Sequence, residues 1–273
     1  MLPDMPTLST AAVSVGIPGP GQKITVQLMD GRGHVLGFAK YADKPYTREL
    51  MVNEARMLSV IPEGVGPRLV RLMPFLEGDL LVQTALPGRT QTPHLRLEAA
   101  QMRFFERLVQ PGKPYAADEH PFFQSLRSQS GGYQAGGLQD TIEEIVETLG
   151  DVRWPVVWSH GDMAPWNMYL WRNECLAFDW EHGREVGFAY LDAAADLIQV
   201  ASIIQRATPQ RAKLDVSEEL GLHLPERYAG LAPALASLSA VNMLVSWYPP
   251  RRPDAYQRWL EAFVSAPAEG GGP

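Results

Sequence analysis

Between residues 154 and 181 the chain alternates short apolar runs with isolated polar residues, in a spacing that leaves it few ways to fold. Trp154-Pro155-Val156-Val157-Trp158 is short, apolar and β-branched, the pattern of a buried strand. The stretch from Ser159 to Asn167 contains Gly161 and Pro165, which suit neither a strand nor a helix interior, so it reads as a loop. Met168 to Trp171 and Cys175 to Phe178 are then two apolar runs on either side of polar Arg172-Asn173-Glu174, which predicts a β-hairpin. Centred on Asn173, the hairpin pairs Tyr169 with Ala177, Met168 with Phe178 and Asn167 with Asp179. Facing residues of an antiparallel pair have Cβ atoms about 4.5–5.5 Å apart, so this amide and this carboxylate are expected side by side.

Those side chains would offer oxygen to one small volume, with Asp162 hanging from the loop beside it. Magnesium takes oxygen ligands at about 2.0–2.1 Å and completes its shell with phosphate and water. An aspartate within reach of an incoming hydroxyl can accept its hydrogen bond. The set suits phosphoryl transfer. A metal hydrolase using His160, Asp162 and Asp179 is the rival reading, but it calls for more histidine nearby, and His182 is the one other candidate in this region. His-x-Asp or Asp-Trp-Glu alone says little, because each recurs by chance; together, at this spacing, they say much more.

The segment resembles the aminoglycoside phosphotransferase and choline kinase family, whose members share the protein-kinase fold. That family's pattern is His-Gly-Asp, four residues, Asn, then a strand pair ending in Asp, often followed by an aromatic and an acid; here it is His160-Gly161-Asp162, Asn167 and Asp179-Trp180-Glu181. The resemblance implies Asp162 as catalytic aspartate, Asn167 and Asp179 as magnesium ligands, and His160 as a structural residue of the loop. The chain departs at Ala164-Pro165-Trp166-Asn167, where the family often has His-Pro-Gly-Asn. That change touches no ligand, but it separates the chain from the best-known antibiotic-resistance members. The fold implied is bilobal α+β: an antiparallel sheet with one helix over residues 1–86, and a larger, mainly helical lobe over 87–265 that carries the hairpin.

The first third supplies what such a fold needs. Thr10 to Val15, Ile24 to Met29 and His34 to Tyr41 read as three strands, separated by the glycine-bearing 16–21 and the turn Asp30-Gly31-Arg32-Gly33. Glycine lets backbone N–H groups approach anionic oxygens, although a plain surface hairpin explains the first loop equally well. Lys40 lies in the otherwise apolar third strand, where an inward lysine needs a partner. A helix is predicted from Thr47 to Val60, offering Glu54 or, only nine residues after the lysine, Glu49. Glu54 is preferred, since the strand must end and turn before the helix can return to it. Pro67 to Leu72 and Asp79 to Ala85 read as two further strands, broken by Leu86-Pro87-Gly88-Arg89. By resemblance, Lys40 and Glu54 form the phosphate-gripping ion pair, Val82 lines the purine pocket, and Gln83 and Ala85 offer backbone groups to the base.

Helical spacing recurs at Leu95 to Val109, Gln139 to Leu149, Leu191 to Arg206, Tyr228 to Trp247 and Asp254 to Val264. Asp192 matches a family aspartate that buttresses the catalytic loop, with Asp196 the rival one turn later. Glu143, Glu144 and Glu147 are most simply the wet face of one helix. Ala266 to Pro273 reads as a disordered tail. The formal charge of −7 argues against a nucleic-acid partner held through phosphates. No run approaches the ~20 apolar residues of a membrane span. One cysteine and no basic-then-apolar leader suit the cytoplasm. The cofactors expected are ATP, or another nucleoside triphosphate, and Mg2+. The partner expected is a small-molecule hydroxyl acceptor: sugar or glycan-type, aminoglycoside or amino-alcohol. A nucleotide-binding scaffold without transfer activity, and less readily a protein kinase, are the alternatives.

Overall fold

A computed structural model describes residues 7–16, 21–87, 94–131, 137–247 and 254–267. The chain divides into two units: Met1–Thr90 with Tyr169–Gly183, and Gln91–Met168 with Arg184–Pro273. The first holds an antiparallel sheet with one long helix and the second is mainly helical, an α+β composition.

The first unit is built on β1 (Thr10–Val15), β2 (Ile24–Met29), β3 (Val35–Ala42), β4 (Leu69–Phe75) and β5 (Gly78–Thr84), in the sheet order β1-β2-β3-β5-β4. Helix α1 (Pro45–Val60) opens on a proline at its first turn, where the missing N–H is no loss. Alternation gives each sheet face its own cluster. Ala42 and Leu81 pack with Met51 and Ala55 of α1, while Leu28, Ala39 and Val82 gather on the opposite face. Gly78 is forced by crowding, because a Cβ there would come 2.1 Å from the Ala42 carbonyl oxygen. Of the 16–21 loop, residues 17–20 lie outside the described residues, as do 88–93 after the β5 exit.

The expected hairpin forms from β7 (Met168–Trp171) and β8 (Glu174–Ala177). Its turn is tighter than the expected three-residue break. Arg172 (φ 50°) and Asn173 (φ 65°) both take positive φ, the two-residue primed turn whose twist matches a hairpin. Trp171 and Glu174 therefore flank the turn directly, one residue tighter than a hairpin centred on Asn173.

In the second unit β6 (Val156–Ser159) pairs with β9 (Arg184–Phe188), a partner strand the sequence pattern did not suggest. Around them lie α2 (Ala99–Arg107), α3 (Pro121–Ser130), α4 (Leu138–Leu149), α5 (Leu191–Gln199), α6 (Pro209–His223), α7 (Glu226–Ala229), α8 (Ala232–Trp247) and α9 (Ala255–Ser265). α8 is apolar on nearly every face and packs against α4, α5, α6 and α9, the position such a helix requires. The helix expected from Leu191 to Arg206 is α5 followed by a π-helical segment, Val200–Ile204. The one expected from Tyr228 is two helices, α7 and α8. α3 and α6 were not expected. α6 buries a lysine among few apolar residues: Lys213 Nζ donates to the carbonyls of Val264, at 2.8 Å, and Ala266. Ala266 is thus buried and held, while residues 268–273 of the expected tail lie outside the described residues.

His120 caps the N-terminus of α3, its Nδ1 accepting from the Phe122 N–H at 3.2 Å, and its ring packs edge-on to Phe188 at 4.8 Å. Burial pushes its pKa down to about 4, against a weaker opposing bond to the Pro155 carbonyl. The unfolded chain therefore binds the extra proton first as pH falls. Stability should drop by about 2–3 kcal/mol between roughly pH 6.5 and pH 4. Urea unfolding at several pH values checks this, with His120→Asn, which keeps a capping side chain, expected to flatten the slope.

Candidate active site

In the first unit Lys40 stands on β3, almost buried. Its ammonium must be paired, and α1 provides the partner: Nζ donates to Glu54 Oε1 at 2.6 Å and Oε2 at 2.8 Å. It also donates to Asp179 Oδ1 at 2.7 Å. Burial works against the charge, but Glu54 and Asp179 outweigh it and hold the ammonium above the ordinary lysine range. Glu54 is fully buried, whereas its rival Glu49 is exposed.

Asp179 takes a left-handed φ of 69° and opens the 3-10 turn Trp180–His182. Trp180 is fully buried, its Nε1 donating to the Ala177 carbonyl at 3.0 Å. Asn53 Nδ2 donates to the carbonyls of Glu181 at 2.8 Å and Gly183 at 2.9 Å. Successive residues of α1 thus hold the lysine and the Asp179 turn. Glu181 pairs with Lys23, and oxygens of Glu54, Asp179 and Glu181 lie within 4.8 Å of one another.

Lys40 faces Leu81 across the sheet and Ala39 faces Val82, so alternation puts Val82 on the face opposite Lys40. Val82 belongs to the Leu28–Ala39 cluster; it does not share the surface around the ammonium. Gln83 shares the Lys40 face but sits in a strand paired on both sides, so its backbone is engaged and its side chain is what it can offer. That side chain is buried, and Oε1 has no hydrogen-bond partner among the described residues. The Ala85 N–H is donated to the Leu36 carbonyl at 3.2 Å, which leaves its carbonyl as the group to offer.

The second unit holds the loop after β6. Asp192, in the first turn of α5, accepts the His160 N–H at Oδ2 (2.7 Å) and the Gly161 N–H at Oδ1 (3.0 Å), with the Ser159 hydroxyl 3.2 Å from Oδ1. Asp196 is engaged elsewhere, 2.7 Å from His94 Nε2, and complete burial pushes its carboxyl upward against the pull of that histidine. Gly161 has φ 76°, which a side chain would strain. The buried His160 accepts the Asp162 N–H at Nδ1, 3.4 Å away. Asn167 Nδ2 donates to the Asp162 carbonyl at 2.9 Å and lies 3.4 Å from its Oδ2. Gln199 Nε2 lies 3.4 Å from Oδ1 of the same carboxylate.

Asn53 and Gln199 were missed in the sequence, yet each left a trace. Asn53 adjoins Glu54, and Gln199 falls two helical turns after Asp192 on the same face. Glu143 makes an exposed ion pair with Arg127 at 2.7 Å, and Glu144 and Glu147 are exposed, as a wet helix face requires. Trp166 is 43% exposed, unlike the buried Trp154 and Trp180.

The loop's dependence on Asp192 gives a prediction. Asp192→Ala leaves two or three buried donors unsatisfied at about 1–3 kcal/mol each, so stability should fall by about 3 kcal/mol or more. Asp192→Asn, which keeps one acceptor oxygen, should lie between the alanine variant and the wild type in urea midpoint.

No family model matches this chain, and no curated protein matches it in sequence. Solved structures do. A thermostable mutant of aminoglycoside phosphotransferase APH(4)-Ia, in a ternary complex with ADP and hygromycin B, aligns over 95% of each chain with TM-score 0.54 and 11% identity. A protein from Haemophilus somnus 129PT described as a fructosamine-3-kinase aligns over 95% of this chain and 90% of its own, with TM-score 0.52 and 14% identity. The fold is kinase-like. At these identities the likeness is one of fold. Within this kinase-like fold, the Lys40 ion cluster belongs to the unit with the five-stranded sheet, and the Asp162 loop to the helical unit.

Proposed function

We propose that this protein moves the γ-phosphoryl group of a nucleoside triphosphate, ATP by resemblance, to a hydroxyl of a small molecule. The observation that carries the reading is the buried Lys40–Glu54 pair, joined by the half-buried Asp179, in a kinase-like fold. A strand lysine set by a helix glutamate is the device by which kinases grip the nucleotide phosphates. Lys40 takes that role, set by Glu54, with the Gln83 side chain and the Ala85 carbonyl meeting the base. Residues 1–86, with which Tyr169–Gly183 group, are assigned the nucleotide-covering role, and the rest of 87–265 the catalytic and acceptor-binding role.

Magnesium suits the donors available. Asn167 offers Oδ1, its Nδ2 being donated to the loop, and Asp179 offers a carboxylate in a cluster that already accommodates the Lys40 ammonium. Once bound, the ion neutralises phosphate charge. Asp162 accepts the acceptor hydroxyl's hydrogen bond and takes its proton late, as the new O–P bond forms and the bond to the departing nucleoside diphosphate breaks. Because such transition states are loose, positioning and charge neutralisation outweigh strong base action. His160 and Asp192 hold the loop.

The neighbours' names, an aminoglycoside phosphotransferase and a fructosamine-3-kinase, support a small-molecule acceptor without choosing one. Incubation with Mg·ATP and a panel of sugars, aminoglycosides and amino-alcohols, following ADP release, should give acceptor-dependent turnover. Nucleotide binding with no release across that panel would instead assign the protein to the scaffold class.

A further inference from the structure

Arg184 opens β9 and faces Ser159 in the β6–β9 ladder, three residues before Asp162. Its guanidinium reaches Ser246 Oγ at 2.7 Å, Asn242 Oδ1 at 3.4 Å and Gln129 Oε1 at 3.5 Å. All three partners are neutral. Among the described residues no carboxylate pairs with it. The acid whose field does reach it, Asp192, has both oxygens committed to Ser159, His160 and Gly161. The same end of α8 also touches the loop, for Trp247 Nε1 donates to the Gly161 carbonyl at 3.1 Å. Two consecutive residues, Ser246 and Trp247, therefore join Arg184 to the residue before Asp162.

A guanidinium stays charged and is costly to hold, half-buried, among neutral groups. Its planar fork matches a carboxylate or phosphate, and an anion arriving there would restore the missing counter-charge. A cationic acceptor would be repelled at the same point. Resting on the transfer reaction above, we infer that Arg184 receives an anionic group, carboxylate or phosphate, on the acceptor whose hydroxyl meets Asp162. The acceptor class is thus a hydroxy acid or a phosphorylated sugar, and not an amino sugar.

A matched panel of gluconate, glucose 6-phosphate, glucose and glucosamine with Mg·ATP tests this. One or both anionic members should exceed glucose in kcat/KM by about 10²-fold, with glucosamine lowest. Gluconate and glucose 6-phosphate separate the carboxylate from the phosphate source. Arg184→Gln should remove most of that preference through KM, and Arg184→Lys, which keeps charge but loses the fork, should retain part of it. Calorimetric titration of the same four compounds without nucleotide reads the site independently of transfer. Anion binding lost in Arg184→Gln supports the inference even if no member turns over, an outcome that would count only against the transfer reaction. Equal binding of glucose and the anions, or preferred turnover of glucosamine, would overturn the inference and leave phosphotransfer standing.

Discussion

Asp162→Asn should lower turnover by about 10²–10⁴-fold, the range a positioned general base contributes, with little change in nucleotide affinity. The substitution is nearly isosteric, and the backbone around it is fixed independently. His160 and Gly161 are tied to Asp192, Trp247 holds the Gly161 carbonyl, and Asn167 donates to the Asp162 carbonyl. Removing the charge therefore tests chemistry more than folding. Initial rates of ADP release with the best acceptor, set beside calorimetric nucleotide binding, separate the two effects. Asp179→Ala is the contrasting variant: as a proposed magnesium ligand, its loss should weaken binding of the magnesium–nucleotide complex itself. Wild-type rates in both variants would remove these roles.

Lys40→Met should cost about 3–5 kcal/mol, because it strips the cation from the fully buried Glu54 and leaves that carboxylate facing Asp179. The companion Glu54→Gln strands the ammonium with Asp179 alone. Combined, the two changes should cost distinctly less than their sum, since the second removes the charge the first left uncompensated. Urea unfolding of the four proteins measures that coupling; simple additivity would mean the pair is energetically idle. The pH dependence has a definite sign. The folded-state pKa of Lys40 is raised, so its stabilisation is complete below the ordinary lysine value and is lost only in strongly alkaline solution. The gap between wild type and Lys40→Met should therefore persist across the neutral range.

Much of this molecule could be read from residue pattern. The strands of the five-stranded sheet, the helix bearing Glu54 and the hairpin after Asn167 are all marked by periodicity and turn residues. What escaped was decided by one-residue distinctions or by partners far along the chain. Arg172-Asn173-Glu174 could turn in two residues or three, and only positive φ at the first two settles which. Val82 and Gln83 differ by one step of a period-2 strand, and only the register of β5 on β3 decides which of them shares the face of Lys40. Apolar β9 residues are too few to announce a strand, which exists because β6 needs a partner. α6 was obscured by Lys213, although Ala212, Val216 and Leu220 at intervals of four carry its buried stripe. Asp192 and Asp196 both lie on α5, and only the loop that each can reach tells them apart.

Asn53 and Glu54 are consecutive residues of one rigid rod, and a rod cannot move its parts separately. Any tilt or slide of α1 that carried Glu54 away from Lys40 would also drag at the carbonyls of Glu181 and Gly183. Grip on the ammonium and posture of the segment that presents Asp179 are thereby geared together, so neither can be tuned by evolution or by a ligand without readjusting the other.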